Sequence, residues 1–158
     1  MRTILTEPNP KLRTPAKPVA EISDAIKKLA EEMVQIMRQA PGVGLAANQI
    51  GEARRVVVME VEKKLYQWAN PEIKKASAKL VEFEEGCLSY PGYVGPVLRP
   101  EKIEYQALNI ETGKKIKGKA QGLLARVIQH EIDHLDGILY IDRVADKSLL
   151  KKSESSKI

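Results

Sequence analysis

The 158-residue chain is sparing with the residues that bind soft metals and with large rings: it has one cysteine, two histidines, one tryptophan and one phenylalanine. A single cysteine excludes an internal disulfide. No apolar run approaches the roughly 20 residues needed to cross a bilayer, stretches such as Val56 to Met59 being typical. Met1 to Pro10 has no apolar core and does not read as a secretory leader. Neither charge dominates: 26 basic residues face 21 acidic ones, for a net charge of +5. That balance suits an anionic neighbour but is less lopsided than a dedicated nucleic-acid binder needs. No membrane association and no specific nucleic-acid binding are expected. With 43% apolar and 30% charged residues the chain is not disordered. A chain of this length forms one domain and buries roughly 68–70% of its unfolded surface.

The chain starts with an extended arm to Val19, interrupted by Pro8, Pro10, Pro15 and Pro18. Ser23 caps a helix running to about Ala40, with Ile26, Leu29, Met33, Ile36 and Met37 on one face, and Pro41 and Gly42 stop it. Strands are expected at Arg55–Glu60, Leu65–Trp68, Ala78–Phe83, Ile103–Leu108 and Lys114–Ala120, with a hairpin turn around Gly113. Tyr90 to Pro100, holding three prolines and two glycines, reads as a loop. A second helix spans Gly122–Leu135 and ends at Asp136 and Gly137. After Asp146 the sequence suggests a short helix fraying into a polar, mobile tail. The expected division is therefore a catalytic domain over residues 1–146 and a tail over 147–158. Helix, several strands, then helix, without βαβ alternation, indicates α+β with antiparallel sheets.

Gln129-His130-Glu131-Ile132-Asp133-His134 carries the chemistry. Histidines four apart on a helix lie one turn apart on one face, so both rings can reach one ion. Glu131 is turned about 100° from His130 and stands near such an ion rather than on it, where a base acting on water belongs. On a helical wheel His130, His134 and Glu131 fall inside or beside the apolar arc of Leu123, Leu124, Val127, Ile128 and Leu135. Arg126, Gln129, Asp133 and Asp136 occupy the opposite side. A carboxylate buried there needs a compensating partner, which a divalent ion with its water provides. The plainer alternative is two hydrogen-bonded core histidines and a salt-bridged glutamate.

A catalytic site of this kind needs a third protein ligand and an open fourth position. Cys87, between a strand and the proline-rich segment, is the leading candidate, although free cysteines also serve as small core residues. Glu154 is the competitor, but no apolar pattern docks its segment. Gly42 to Gln49 carries little side chain, so an extended peptide can pair with it, and the Gln49 amide can donate to a developing oxyanion. Close packing of this loop against a helix is the alternative.

Together, Gly42–Gln49, Glu85–Ser89 and Gln129–Gly137 resemble, in order, the three motifs of the peptide deformylase family: Gly-x-Gly-Leu-Ala-Ala-x-Gln, Glu-Gly-Cys-Leu-Ser and Gln-His-Glu-x-Asp-His-Leu-x-Gly. The likeness runs from roughly Pro8 to Val144. It implies antiparallel sheets packed around a central metal-binding helix, with the N-terminal helix outside. It implies a cytoplasmic metal-dependent hydrolase that removes the formyl group from the formylmethionine of nascent chains and releases formate, in possible transient contact with the ribosome. The ligands it implies are Cys87, His130 and His134. Fe(II) is the usual ion, and Zn(II), Ni(II) or Co(II) substitute. Glu131 is the implied general base and acid, and Gln49 and the Leu88 backbone N–H the oxyanion donors. Val43, Phe83, Leu123 and Val127 match the methionine pocket, and the backbone around Val43, Gly44 and Gly86 the strand-like peptide contact.

Overall fold

The structure, a computed structural model, describes residues 1–153. Ser23 Oγ accepts the Ile26 N–H at 3.3 Å and opens helix α1 (Asp24–Gln39), whose buried face comprises Ile26, Leu29, Ala30, Met33, Val34, Ile36 and Met37. Five strands follow: β1 (Gly44–Ala46), β2 (Val56–Val61), β3 (Lys64–Ala76), β4 (Leu80–Cys87) and β5 (Tyr90–Pro100). After them come β6 (Lys102–Asn109), β7 (Lys115–Gln121), helix α2 (Gly122–Leu135), the short helix α3 (Tyr140–Arg143) and β8 (Lys151–Lys152). All strand pairs are antiparallel, in two sheets ordered β1-β2-β3-β6-β7 and β4-β5-β8.

Strand β2 explains the placement of both long helices. Successive side chains alternate faces. Val56 and Val58 join the α1 face with Met33, Leu45 and Ala69, while Val57 and Met59 join the α2 face with Trp68, Ile103 and Val127. A strand apolar on both sides must be covered on both sides. α1 therefore lies outside the large sheet, and α2 lies between it and the small sheet, where Cys87, Val97, Tyr140 and Val144 form a third cluster.

This position corrects the helical-wheel expectation. Every residue of α2 from Ala125 to Leu135 is buried, Arg126, Gln129 and Asp133 included; of the expected polar side only Asp136 is exposed. The small sheet covers that side and supplies partners for its charges.

Three further elements differ from expectation. The supposed loop at Tyr90–Pro100 is strand β5, paired with β4 from Leu80↔Pro100 to Cys87↔Tyr90. Proline is tolerated where its missing N–H would point away from the partner. On the other edge of β5, β8 pairs only with Tyr93 and Val94. Strand β3 runs well beyond Trp68 because Pro71 sits at a register shift between Ala69 and Glu72, where no regular ladder bond is broken. The hairpin turn stands as expected: Gly113 has φ 74° and donates to Asn109 O at 2.7 Å. In place of the helix expected after Asp146 there is one 3₁₀ turn at Lys147–Leu149, then β8; residues 154–158, Glu154 among them, lie outside the described residues.

The arm is fastened rather than free. Leu5 N–H donates to Gln49 O at 2.7 Å, Glu7 N–H to Ser89 O at 2.9 Å and Ala16 N–H to Leu135 O at 2.8 Å.

Candidate metal centre

α2 brings His130 and His134 together, with their Nε2 atoms 3.2 Å apart. β4 ends at Cys87, whose Sγ lies 3.2 Å from His134 Nε2, and the three donor atoms all lie within 4.8 Å of one another. Cys87, His130 and His134 are all buried. In a tetrahedral site with metal–nitrogen bonds of about 2.0–2.1 Å, neighbouring nitrogens stand roughly 3.3 Å apart. The observed spacing is that of ligands around one ion.

The ring of His130 is aimed from behind. Its Nδ1 donates to Glu85 Oε1 at 2.8 Å, leaving the Nε2 lone pair toward Cys87 and His134. Glu85 takes four bonds in all. Arg99 Nη2 reaches Oε1 at 3.0 Å, and Arg99 Nε and Arg126 Nη1 reach Oε2 at 2.7 and 2.5 Å. Arg99 also pairs with Asp133, which Arg143 grips through both its Nε and Nη2. These partners were not anticipated from the sequence. The available signal was parity: Glu85 shares the strand face of Phe83 and Cys87, so a charged residue there points inward.

Glu131 is fully buried, and neither of its carboxylate oxygens has a hydrogen-bond partner among the described residues; the same holds for His134 Nδ1. β1 runs directly over this carboxylate: a Cβ on Gly44 would collide with Glu131 Oε2, and the carboxylate would have to move to admit it. A buried carboxylate without a protein partner, beside three convergent donors, fits a divalent cation and its water.

The electrostatics agree. Burial pushes Glu131 up to about 7, opposed by the field of His130. Burial would raise Glu85 as well, but the hydrogen bonds from His130 and Arg99 hold it well below the ordinary carboxylate range. Burial opposes charge on His130, yet the Cys87 and Glu85 hydrogen bonds raise it to about 10, a measure of how strongly the centre attracts positive charge. Burial, then the field of His130, lowers His134 well below its ordinary value and keeps it a neutral imidazole.

Gln49 lies in the 3₁₀ turn Ala47–Ile50. Its Oε1 accepts the Ala46 N–H at 2.9 Å, and its Nε2 donates to Ser89 Oγ at 3.0 Å and lies 3.8 Å from Cys87 Sγ. The amide N–H₂ therefore faces the donor cluster. Leu88 follows Cys87 in the turn after β4 and packs against Gly42, where a Cβ would meet it at 2.6 Å.

The expected pocket residues fall into two groups. Phe83 and Leu123 are exposed and line a hollow of about 180 Å³ together with Val81, Pro100, Gly122 and Arg126. Val127 is buried in the core on the α2 face, with Val43 packed against the same cluster. The Val43 carbonyl accepts the Glu60 N–H at 2.8 Å, while Gly44 and Gly86 are buried beside the centre, on the edge strands β1 and β4. A larger hollow of about 700 Å³, near Lys75, Lys102 and Lys119, contains none of these residues.

Comparison with known proteins gives one answer. A family model described as polypeptide deformylase matches residues 1–149. A peptide deformylase of Symbiobacterium thermophilum is 52% identical over 143 residues, covering 89% of this chain and 65% of that one. One from Natranaerobius thermophilus is 46% identical over 147 residues, covering 92% and 94%. Among solved structures, the peptide deformylase of Thermotoga maritima superposes with a TM-score of 0.89 at 38% identity, covering 92% of this chain and 99% of that one. That of Synechococcus elongatus in complex with actinonin has a TM-score of 0.90 at 38% identity, covering 93% and 80%.

Proposed function

The chain belongs to the polypeptide deformylase family, and from that premise we propose that Cys87, His130 and His134 hold one divalent ion at which N-formylmethionyl peptides lose their formyl group. The reaction is hydrolysis of an amide: water adds to the formyl carbon, the C–N bond breaks, and formate and a free α-amine result. One observation carries the reading: three atoms that could hold a metal converge beside a buried carboxylate that has no hydrogen-bond partner among the described residues.

Cys87, His130 and His134 would hold the ion, which when bound would supply Lewis acidity and make water easier to deprotonate. Fe(II) is the ion proposed, and the same N,N,S donors suit Zn(II), Ni(II) and Co(II). Glu131, held near neutrality by burial, accepts the proton of the attacking water and delivers it to the leaving amine. The Gln49 amide and the Leu88 N–H donate to the carbonyl oxygen as it gains charge. The peptide lies extended against the edges of β1 and β4, along Val43, Gly44 and Gly86. Its methionine side chain packs toward Phe83, Leu123 and Val127.

Residues 1–146 hold every residue assigned a role in the reaction. The substrates are nascent chains in the cytoplasm, met during transient contact with the ribosome. No helix among the described residues is long and apolar enough to cross a membrane. Formate release from a formyl-Met peptide, with metal analysis of the same sample, tests the reading. Metal-replete protein that releases no formate would overturn it.

A further inference from the structure

Arg126 is a buried cation that no step above employs. It lies on α2, one turn before His130, with 6% of its surface exposed. Its Nη1 donates to Glu85 Oε2 at 2.5 Å and to Val97 O at 3.0 Å, and its Nη2 donates to Val81 O at 2.7 Å. One planar group thus ties α2 to β4 and β5. With Arg99 it fills both acceptor sites of Glu85 Oε2, while His130 and Arg99 fill those of Oε1. A carboxylate with all four acceptor sites taken cannot swing, and the His130 ring that leans on it cannot turn.

The other side of the same guanidinium faces outward. Its Cζ lies 5.3 Å from the centre of the Phe83 ring, and Arg126 lines the hollow that Phe83 and Leu123 border. Its Nη1 is paired with Glu85 behind it, so the hollow meets the flat face of a hydrogen-bonded guanidinium.

We propose that Arg126 is a positioning residue with two linked tasks: it steadies the metal ligand His130 through Glu85, and it forms the wall of the Phe83–Leu123 hollow that takes the first side chain of the substrate. The proposal rests on the metal site and activity proposed above. It requires that metal retention and side-chain preference change together when the Arg126 charge is removed, and that a shorter cation restores only the first.

The test uses the full chain loaded with Co(II), whose visible spectrum reports thiolate and imidazole ligation. R126M should lose Co(II) to a competing chelator with about 10–100-fold weaker affinity and shift the ligand-field bands. Its KM ratio between formyl-Met and formyl-Ala peptides should also change. R126K can reach Glu85 with its ammonium but cannot also hold Val81 O. It should recover most of the affinity while the KM ratio stays altered. R126M with affinity within about twofold of the parent, or with only one of the two properties moved, overturns the link. If R126M does not fold, R126K decides alone: near-parent affinity with an altered ratio supports the proposal, and an unaltered ratio overturns it. Absence of the cobalt–thiolate band in the unaltered protein would instead bring down the metal site itself.

Discussion

Glu85 Oε1 accepts the Nδ1 proton of His130 at 2.8 Å, although the two residues come from different layers, one from the small sheet and one from the helix between the sheets. This bond selects the tautomer that turns Nε2 toward Cys87. Removing it should cost both stability and metal binding, because Arg99 and Arg126 would be left facing a weaker partner.

Glu85→Gln should therefore lower unfolding stability by about 3–5 kcal/mol, the usual result of breaking a buried ion pair on one side. It should also weaken metal binding by about 10–100-fold. Urea denaturation and metal competition read the two effects separately. A variant as stable as its parent would mean that the cluster carries little net energy.

Glu131→Gln should act in the opposite direction on stability while abolishing formate release. Burial raises Glu131 to about 7, above its ordinary 4.5. A raised carboxyl contributes stability that is fully present below the unfolded value and lost as pH climbs through the folded one. In chelator-treated protein the parent should lose about 3 kcal/mol relative to the variant between pH 4.5 and 8. Parallel pH–stability curves would contradict the burial argument.

Gln49→Leu should reduce turnover by about 10²–10³-fold, the effect of deleting one oxyanion donor. It should also cost about 1–3 kcal/mol, because the Ala46 N–H loses its buried acceptor. A steady-state assay alongside thermal melting separates the two. Unchanged turnover would remove Gln49 from the reaction.

Gly44→Ala should place a methyl group against Glu131 Oε2, where only 2.3 Å is available. The carboxylate must shift away from the centre, so kcat should collapse while bound metal, measured by elemental analysis, stays near one per chain. Full activity would show that β1 can yield at this point.

The histidine pair and its neighbouring glutamate were legible because they are local. Helix periodicity alone puts His130, His134 and Glu131 on one side of α2, and Ser23 and Gly122 mark the ends of helices found where expected. What escaped was long-range. Nothing within Gln121–Asp136 shows that a second sheet will cover Arg126 and Asp133, so their side of the helix looked solvated when it is paired with residues of β4, β5 and α3. Likewise the prolines of Tyr90–Pro100 argued for a loop, since the direction in which each missing N–H points depends on a pairing register that only the fold defines.

The fastening of the arm has a practical consequence. Leu5 and Glu7 are hydrogen-bonded to the backbone of Gln49 and Ser89, the same two residues whose side chains meet beside the cysteine. A purification tag joined ahead of Met1 leaves these anchors intact, whereas proteolytic trimming past Glu7 would release the backing of the Gln49 turn without touching a side chain of the donor cluster.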